Sequence, residues 1–249
     1  NREEEKHTLR LRFSFSSDME TDTVRIAMED LDKAQLIWNG EKRSGAPQGW
    51  YVDECIQTME LRGIRRGRNE LEVILPYTRK SNVEWCYLLG NFGVEIAGNR
   101  AMVTDLPKDL GFSDLTAQKM PFYGGNLTYH CQVDLEAGEY TLRIPKYRAA
   151  LLKVAVDGED RGRIWYAPYE VKLGRLSGRH TISVTQYGTR INTFGQVHAC
   201  DEKMTWFGPD AWRTEGEAFG YEYQLKRTGI LAAPILSRWE ILKEDGANL

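Results

Sequence analysis

The chain has 249 residues, with 33 basic against 36 acidic side chains and a net charge of -3, so no strong field draws it to nucleic acid or an anionic membrane. Its longest apolar run, Ile230 to Leu236, is broken by Pro234 and falls far short of the roughly 20 residues of a spanning helix. A hydrophobic fraction of 41% with 11% aromatics predicts a soluble chain with buried cores, and at about 150 residues per domain the length points to two small domains.

From the amino terminus, Arg2-Glu3-Glu4-Glu5-Lys6 reads as a charged interdomain connector. Strict two-residue alternation then begins, the mark of a half-buried strand. Leu9, Leu11, Phe13 and Phe15 make one apolar face, followed by Val24, Ile26 and Met28. Asn39-Gly40 tolerates positive φ and closes a predicted hairpin. Asp53 to Leu61 is expected to form a helical turn or two. Arg65-Arg66-Gly67-Arg68 lacks interleaved aromatics and reads as solvated surface. Leu71, Val73 and Leu75 make the next strand. Trp38 and Trp85, inside strand patterns, are expected in the core.

Pro107, Gly111 and a polar run interrupt the pattern in Thr104 to Lys119, and this dividing region predicts domains at 1–112 and 113–249. Ser113 to Lys119 is a second short helical candidate, capped by Ser113 or Asp114. Further strands carry Tyr129, Cys131 and Val133, then Tyr140, Leu142 and Ile144, then Leu152, Val154 and Val156, and finally Ile182 and Val184. Asp157-Gly158 closes another hairpin. The fold class is therefore all-β.

The order repeats. Trp38-Asn39-Gly40 answers Val156-Asp157-Gly158 at an offset of 158 minus 40, or 118. Gly63, Gly67, Arg68, Leu71 and Val73 answer Gly174, Gly178, Arg179, Ile182 and Val184 at 174 minus 63, or 111. The difference of seven residues is an insertion in the first copy near Gly45-Ala46-Pro47-Gln48-Gly49, expected in a surface loop. Cys55, Cys86, Cys131 and Cys200 have no Cys-x-x-Cys spacing, which excludes the common zinc and thioredoxin-like motifs. Two disulfides or four free thiols are compatible with this pattern, and free thiols are the reading favoured here. The sequon Asn126-Leu127-Thr128 would matter only in a eukaryotic secreted protein.

Tyr123-Gly124-Gly125-Asn126-Leu127-Thr128-Tyr129, Val154-Ala155-Val156-Asp157-Gly158, Gly162-Arg163-Ile164-Trp165-Tyr166-Ala167-Pro168-Tyr169 and Leu173 to Val184 together carry a resemblance. They resemble the sugar-binding jelly-roll domain of family 2 and rhamnosidase-like glycoside hydrolases, a galactose-binding-domain-like sandwich. The resemblance covers roughly Met120 to Ile241, with departures at Asp157 and His180, where Asn is usual. The first copy looks like a more divergent sandwich, ending in Tyr87-Leu88-Leu89-Gly90-Asn91-Phe92-Gly93-Val94. The resemblance implies two tandem jelly-roll, galactose-binding-like antiparallel β-sandwiches acting as a non-catalytic module of a larger glycoside hydrolase. The implied partners are carbohydrate, bound weakly, and the catalytic domain of the same parent polypeptide. Neither nucleic acid nor membrane is among them. The native polypeptide is expected to continue upstream of Asn1 into that catalytic domain, in either the bacterial cytoplasm or an exported compartment. A purely structural or protein-interaction module is the alternative, and an autonomous glycosidase using Asp53, Glu54 or Glu84 comes third.

Glycoside hydrolysis needs two facing carboxylates roughly 5 to 9.5 Å apart. Asp53 and Glu54 are adjacent and so diverge, while Glu84 and Asp134 have no local partner. There is no Gly-x-Ser-x-Gly nucleophile elbow. His198 and Cys200 alone are too few ligands for zinc, and His198 reads as a hydrogen-bonded loop residue. No cofactor and no catalytic metal are expected; a structural calcium, which would need clustered oxygens, has no Asp-x-Asp loop to hold it. Aromatic rings can stack on the C–H faces of a pyranose. The predicted stacking set is therefore Trp165, Tyr166, Tyr169, Trp206 and Trp212, with Phe207 nearby and Asn192, Gln196 and His198 as a polar rim.

Overall fold

The computed structural model describes residues 7–81, 83–201, 203 and 214–239. The architecture is all-β, and the chain divides into two compact units, Asn1–Pro107 and Lys108–Leu249.

The first unit contains β1 (His7–Ser17), β2 (Thr23–Met28), β3 (Gln35–Trp38), β4 (Glu41–Arg43), β5 (Trp50–Tyr51), β6 (Asp53–Arg62), β7 (Gly67–Tyr77), β8 (Tyr87–Leu89), β9 (Gly93–Ala97) and β10 (Arg100–Thr104). They form a six-stranded sheet ordered β4-β3-β7-β1-β10-β9 and a four-stranded sheet ordered β5-β6-β2-β8. Every pairing is antiparallel except β1 with β10. Alternate residues of both sheets point inward, so Val24, Ile26, Leu36, Trp38, Leu61 and Val73 join one apolar cluster.

Two expectations are corrected here. Asp53 to Leu61 is strand, not helix: β6 pairs with β2 from Thr23↔Arg62 to Met28↔Gln57, burying Met59 and Leu61. A whole ladder of hydrogen bonds outweighs a weak local helical preference. Trp38 is buried, but Trp85 is 46% exposed and precedes β8 in an irregular connection.

The second unit contains β11 (Leu127–Arg143), β12 (Tyr147–Arg148), β13 (Leu151–Val156), β14 (Glu159–Ile164), β15 (Glu170–Tyr187), β16 (Gly229–Ile230) and β17 (Ile235–Trp239). Five strands are ordered β14-β13-β15-β11-β17, and β12 pairs with β16. The short candidate at Ser113 to Lys119 is a 3-10 turn, Leu115–Gln118, capped by the Asp114 carboxylate, which accepts from the Thr116 amide at 3.1 Å. The runs at Tyr129 and at Tyr140 belong to a single strand. Inward positions are odd-numbered as far as Leu135 and even-numbered from Tyr140, because the β11–β15 register shifts between Leu135 and Gly138. One extra residue at a bulge turns the following side chains to the opposite face.

The repeat is real in three dimensions. Leu36 pairs with Val73 and Trp38 with Leu71; their counterparts Val154 and Val156 pair with Val184 and Ile182. Asn39 and Gly40 have φ of 50° and 85°, Asp157 and Gly158 of 50° and 86°, as a type I′ turn requires. The halves of β11 correspond to β1 and β2, and those of β15 to β6 and β7; β17 lies beside β11 as β8 lies beside β2. The extra residues of the first copy fall between β4 and the middle of β6, and Gly45, Ala46, Gln48 and Gly49 there are exposed.

A side-chain clamp recurs at each hairpin tip. Asn39 Oδ1 accepts from the Glu70 amide at 2.9 Å, and its Nδ2 donates to Asn69 Oδ1 at 2.9 Å. Asp157 Oδ1 accepts from the Thr181 amide at 2.8 Å, and Oδ2 meets His180 Nδ1 at 2.6 Å. The other nitrogen of His180 faces the Ser177 carbonyl at 3.1 Å. Both partners are acceptors, so only the doubly protonated imidazolium satisfies both. The hydrogen bond to Asp157 accordingly raises His180 above its ordinary 6.5, and the same bond lowers Asp157 below 3.8.

Val154 is fully buried, whereas Lys153 is only partly covered and lies 3.6 Å from Asp160. Val154→Asp is expected to cost more than about 4 kcal/mol in urea denaturation, and Lys153→Asp less than about 1 kcal/mol. The clamp also sets a pH dependence. Its contribution is fully present between 3.8 and 6.5. It is lost as pH rises through the higher folded value of His180, or falls through the lower folded value of Asp157. His180→Asn, which installs the residue of the first copy, should remove the alkaline limb from thermal melts of the second unit.

Candidate aromatic binding site

The loop from Trp165 to Tyr169 joins β14 to β15 and contains a cis peptide between Ala167 and Pro168. Tyr169 anchors it. Its amide donates to the Tyr166 carbonyl at 3.0 Å, its own carbonyl accepts from Ile144 at 2.9 Å, and its ring meets Tyr147 edge-on at 5.7 Å. The Tyr147 hydroxyl donates to the Ile164 carbonyl at 3.1 Å, tying the same loop to the end of β14. On this base Trp165 and Tyr166 stand 66% and 69% exposed, with ring centres 5.9 Å apart.

The second group lies in the long excursion between β15 and β16, where residues 197–200 fold back on 218–224. Cys200 donates to the Ala218 carbonyl at 3.0 Å and Gly220 to the His198 carbonyl at 2.9 Å. Five rings run in series: Phe122 to Tyr223 at 5.9 Å, Tyr223 to His198 at 4.9 Å, His198 to Phe219 at 6.0 Å, and Phe219 to Tyr221 at 5.1 Å. His198 Nδ1 donates to the Gly220 carbonyl at 3.1 Å. Phe122, Phe219, Tyr221 and Tyr223 were absent from the predicted set, although Phe219-Gly220-Tyr221-Glu222-Tyr223 alternates as a strand edge would.

Each predicted rim residue has its own situation. Asn192 is buried, with its amide wholly engaged: Nδ2 donates to the carbonyls of Pro121 and Lys226 at 3.0 and 2.8 Å, and Oδ1 accepts from Lys226 at 2.9 Å. Gln196 keeps a buried Oε1 with no hydrogen-bond partner among the described residues. Trp206, Phe207 and Trp212 lie outside the described residues.

Of the carboxylates, Asp53 and Glu54 are exposed on β6, and Asp53 accepts from the Cys55 amide at 3.0 Å, which lowers its pKa. The four cysteines are free. Hydrogen bonding to Asp53, with burial and Glu29 adding to it, pushes the Cys55 thiol up to about 12; burial pushes Cys86 up to about 11. Among the described residues no group of three or more His, Cys, Asp or Glu could hold a metal ion.

No protein-family model matches the chain, and no curated protein matches it. Among solved structures, a rhamnosidase from Novosphingobium sp. PP1Y superposes with a TM-score of 0.35 at 17% identity, over 82% of this chain and 20% of its own. The chain thus spans about a fifth of that enzyme's length. An anti-sigma factor domain-containing protein superposes with a TM-score of 0.23 at 10% identity, over 74% of this chain and 76% of its own. Superpositions this loose carry no argument about function.

Because the Asn192 amide staples three backbone groups, Asn192→Ala should cost about 2 to 3 kcal/mol in chemical denaturation through stranded buried partners.

Proposed function

We propose that the chain is a non-catalytic, carbohydrate-associated pair of β-sandwiches belonging to a larger glycoside hydrolase, with its catalytic domain as partner. The observation that carries this reading is the Trp165–Tyr166 pair, two exposed rings 5.9 Å apart on a loop tied down at Tyr169, whose backbone bonds to Tyr166 and Ile144 and whose ring meets Tyr147 edge-on. Rings of that kind offer flat apolar faces to the C–H face of a pyranose, while tyrosine adds a hydroxyl for hydrogen bonding. The carboxylates support a binding role over a hydrolytic one: Asp53 and Glu54 are neighbours on a strand, where successive side chains point to opposite faces. The resemblance of Met120 to Ile241 to sugar-binding sandwiches agrees with this reading.

The structural alternative draws support from Asn192 and His198, whose polar atoms serve the excursion's own backbone. A purely packing or protein-interaction module would use them in that way.

Titration of the purified chain with mono- and oligosaccharides, followed by NMR, should give weak saturable shifts with Kd of about 1 mM, since a shallow stacking site buries little surface. Trp165→Ala with Tyr166→Ala should abolish them. No shifts across a broad sugar panel, or shifts that survive loss of both rings, would leave the structural alternative standing. Aryl glycosides should not turn over; hydrolysis lost on changing Asp53 or Glu54 would overturn the proposal.

A further inference from the structure

The sequence contains two Trp-Tyr dipeptides, Trp50-Tyr51 and Trp165-Tyr166. They stand 165 minus 50, or 115, residues apart, between the offsets of 118 and 111 that relate the flanking parts of the two copies. Trp50-Tyr51 forms β5, within the connection from β4 to β6; Trp165-Tyr166 lies in the connection from β14 to β15. The same dipeptide therefore precedes the same strand in each copy.

Both connections are tied down in like manner. A tyrosine–tyrosine contact holds each one: Tyr51 meets Tyr87 with ring centres 5.9 Å apart, as Tyr169 meets Tyr147 at 5.7 Å. Each also enters its strand through a bulky residue in the left-handed region, Val52 at φ 68° and Tyr169 at φ 59°. For a β-branched valine that conformation is a rare one, which persists only where the surrounding structure imposes it. Here a hairpin imposes it. Trp50 pairs with Gln57 and Tyr51 with Asp53, and the ladder continues as Gln48 donates to the Thr58 carbonyl at 2.7 Å and Thr58 to the Gly49 carbonyl at 2.9 Å. The extra residues of the first copy thus build a hairpin that carries Trp50, which stands 58% exposed. A large ring already fixed in solvent by an ordered ladder gives up little freedom when a ligand lies on it.

The two connections differ in the number of exposed rings and in charge. Tyr51 is half-buried and meets Tyr87, so the β4–β6 connection presents one exposed ring where the β14–β15 connection presents the pair of Trp165 and Tyr166. Asp53 lies across the hairpin from Tyr51, Glu54 follows it, and both are exposed. The Cys55 amide donates to Asp53 and holds its carboxyl below its ordinary 3.8, so this group is an anion at neutral pH. A carboxylate beside the ring repels an anionic ligand and tolerates a neutral one.

We propose that Trp50 forms a second carbohydrate-stacking site, in the first unit, for an uncharged pyranose, so that each copy carries one such site. This rests on the reading of Trp165 and Tyr166 as a sugar platform and adds a separate site to it. With one ring in place of two, the Trp50 site is the weaker.

The test is an NMR titration of the full chain with methyl glucoside, galactoside and mannoside, read at the Trp50 and Trp165 indole Nε1–H signals and at the Gln57 amide. Both indoles should shift and saturate, Trp50 with a Kd about three- to tenfold higher for want of the second ring. Trp50→Ala should abolish the shift at Gln57 and leave that at Trp165, and Trp165→Ala with Tyr166→Ala should leave that at Trp50. Should Trp50→Ala disturb the first unit, Trp50→Phe keeps a smaller ring and should weaken the shift at Gln57 without abolishing it. Methyl glucuronide should bind at Trp50 several-fold more weakly than methyl glucoside, and Asp53→Asn with Glu54→Gln should close that gap. A Trp50 signal that stays still while Trp165 responds overturns the second site and leaves the sugar-binding reading standing; silence at both rings overturns both. Glucuronide bound as tightly as glucoside, or a gap that the carboxylate variants leave unchanged, overturns the assignment to uncharged pyranoses.

Discussion

Each unit depends on a strand in the interior of its sheet, β7 between β3 and β1, and β15 between β13 and β11. This strand fixes which residues of its neighbours face inward, since a slip by one residue would send Leu36, Trp38 and Val73, or Val154, Val156 and Val184, to the solvent side. The clamp at each hairpin tip ties the register where it begins. Asn39 and Asp157 reach across to the backbone of Glu70 and Thr181, on the same central strands. Loops that leave the ends of these sheets inherit their positions from that register, including the one that presents Trp165 and Tyr166.

Between the copies, the same plan is executed with different continuity. The first breaks its long strands at Asp18–Asp22 and Gly63–Arg66 and so makes two sheets; the second runs β11 and β15 through, accommodating the change of layer with register shifts. The second also spends part of its chain, Leu110 and Phe112, on closing its own core. The second copy also presents the exposed rings of Trp165 and Tyr166 at the end of its sheet.

Much of this was legible in the sequence because the governing signals are local. Alternation placed Leu9 to Phe15, Val24 to Met28 and Leu152 to Val156 on strands, and Asn39-Gly40 and Asp157-Gly158 marked both hairpins, since few residues accept positive φ. What escaped depends on partners distant in the chain. Asp53 to Leu61 is held as strand by β2, about thirty residues away, and no local pattern announces that. Trp85 sits next to a strand without joining it. Trp165, Tyr166 and Tyr169 stand out in the sequence as a group, yet that Tyr169 ties the loop down while the other two rings project depends on its contacts with Tyr147 and Ile144. The ring series through Phe219 and Tyr223 is assembled across a long excursion and left only a faint alternation.

The clamp chemistry bears on how two such similar neighbours fold side by side. Tandem copies with matching registers are prone to exchange strands, since either hairpin can lie against either central strand. Asn39 meets Asn69 as one neutral amide meets another, whereas Asp157 meets His180 as an anion meets a cation. In a crossed assembly Asp157 would face Asn69 and His180 would face Asn39, and the anion–cation pair would not form. At matching positions the two turns therefore carry unlike chemistry, a pair of amides in one and an anion with a cation in the other.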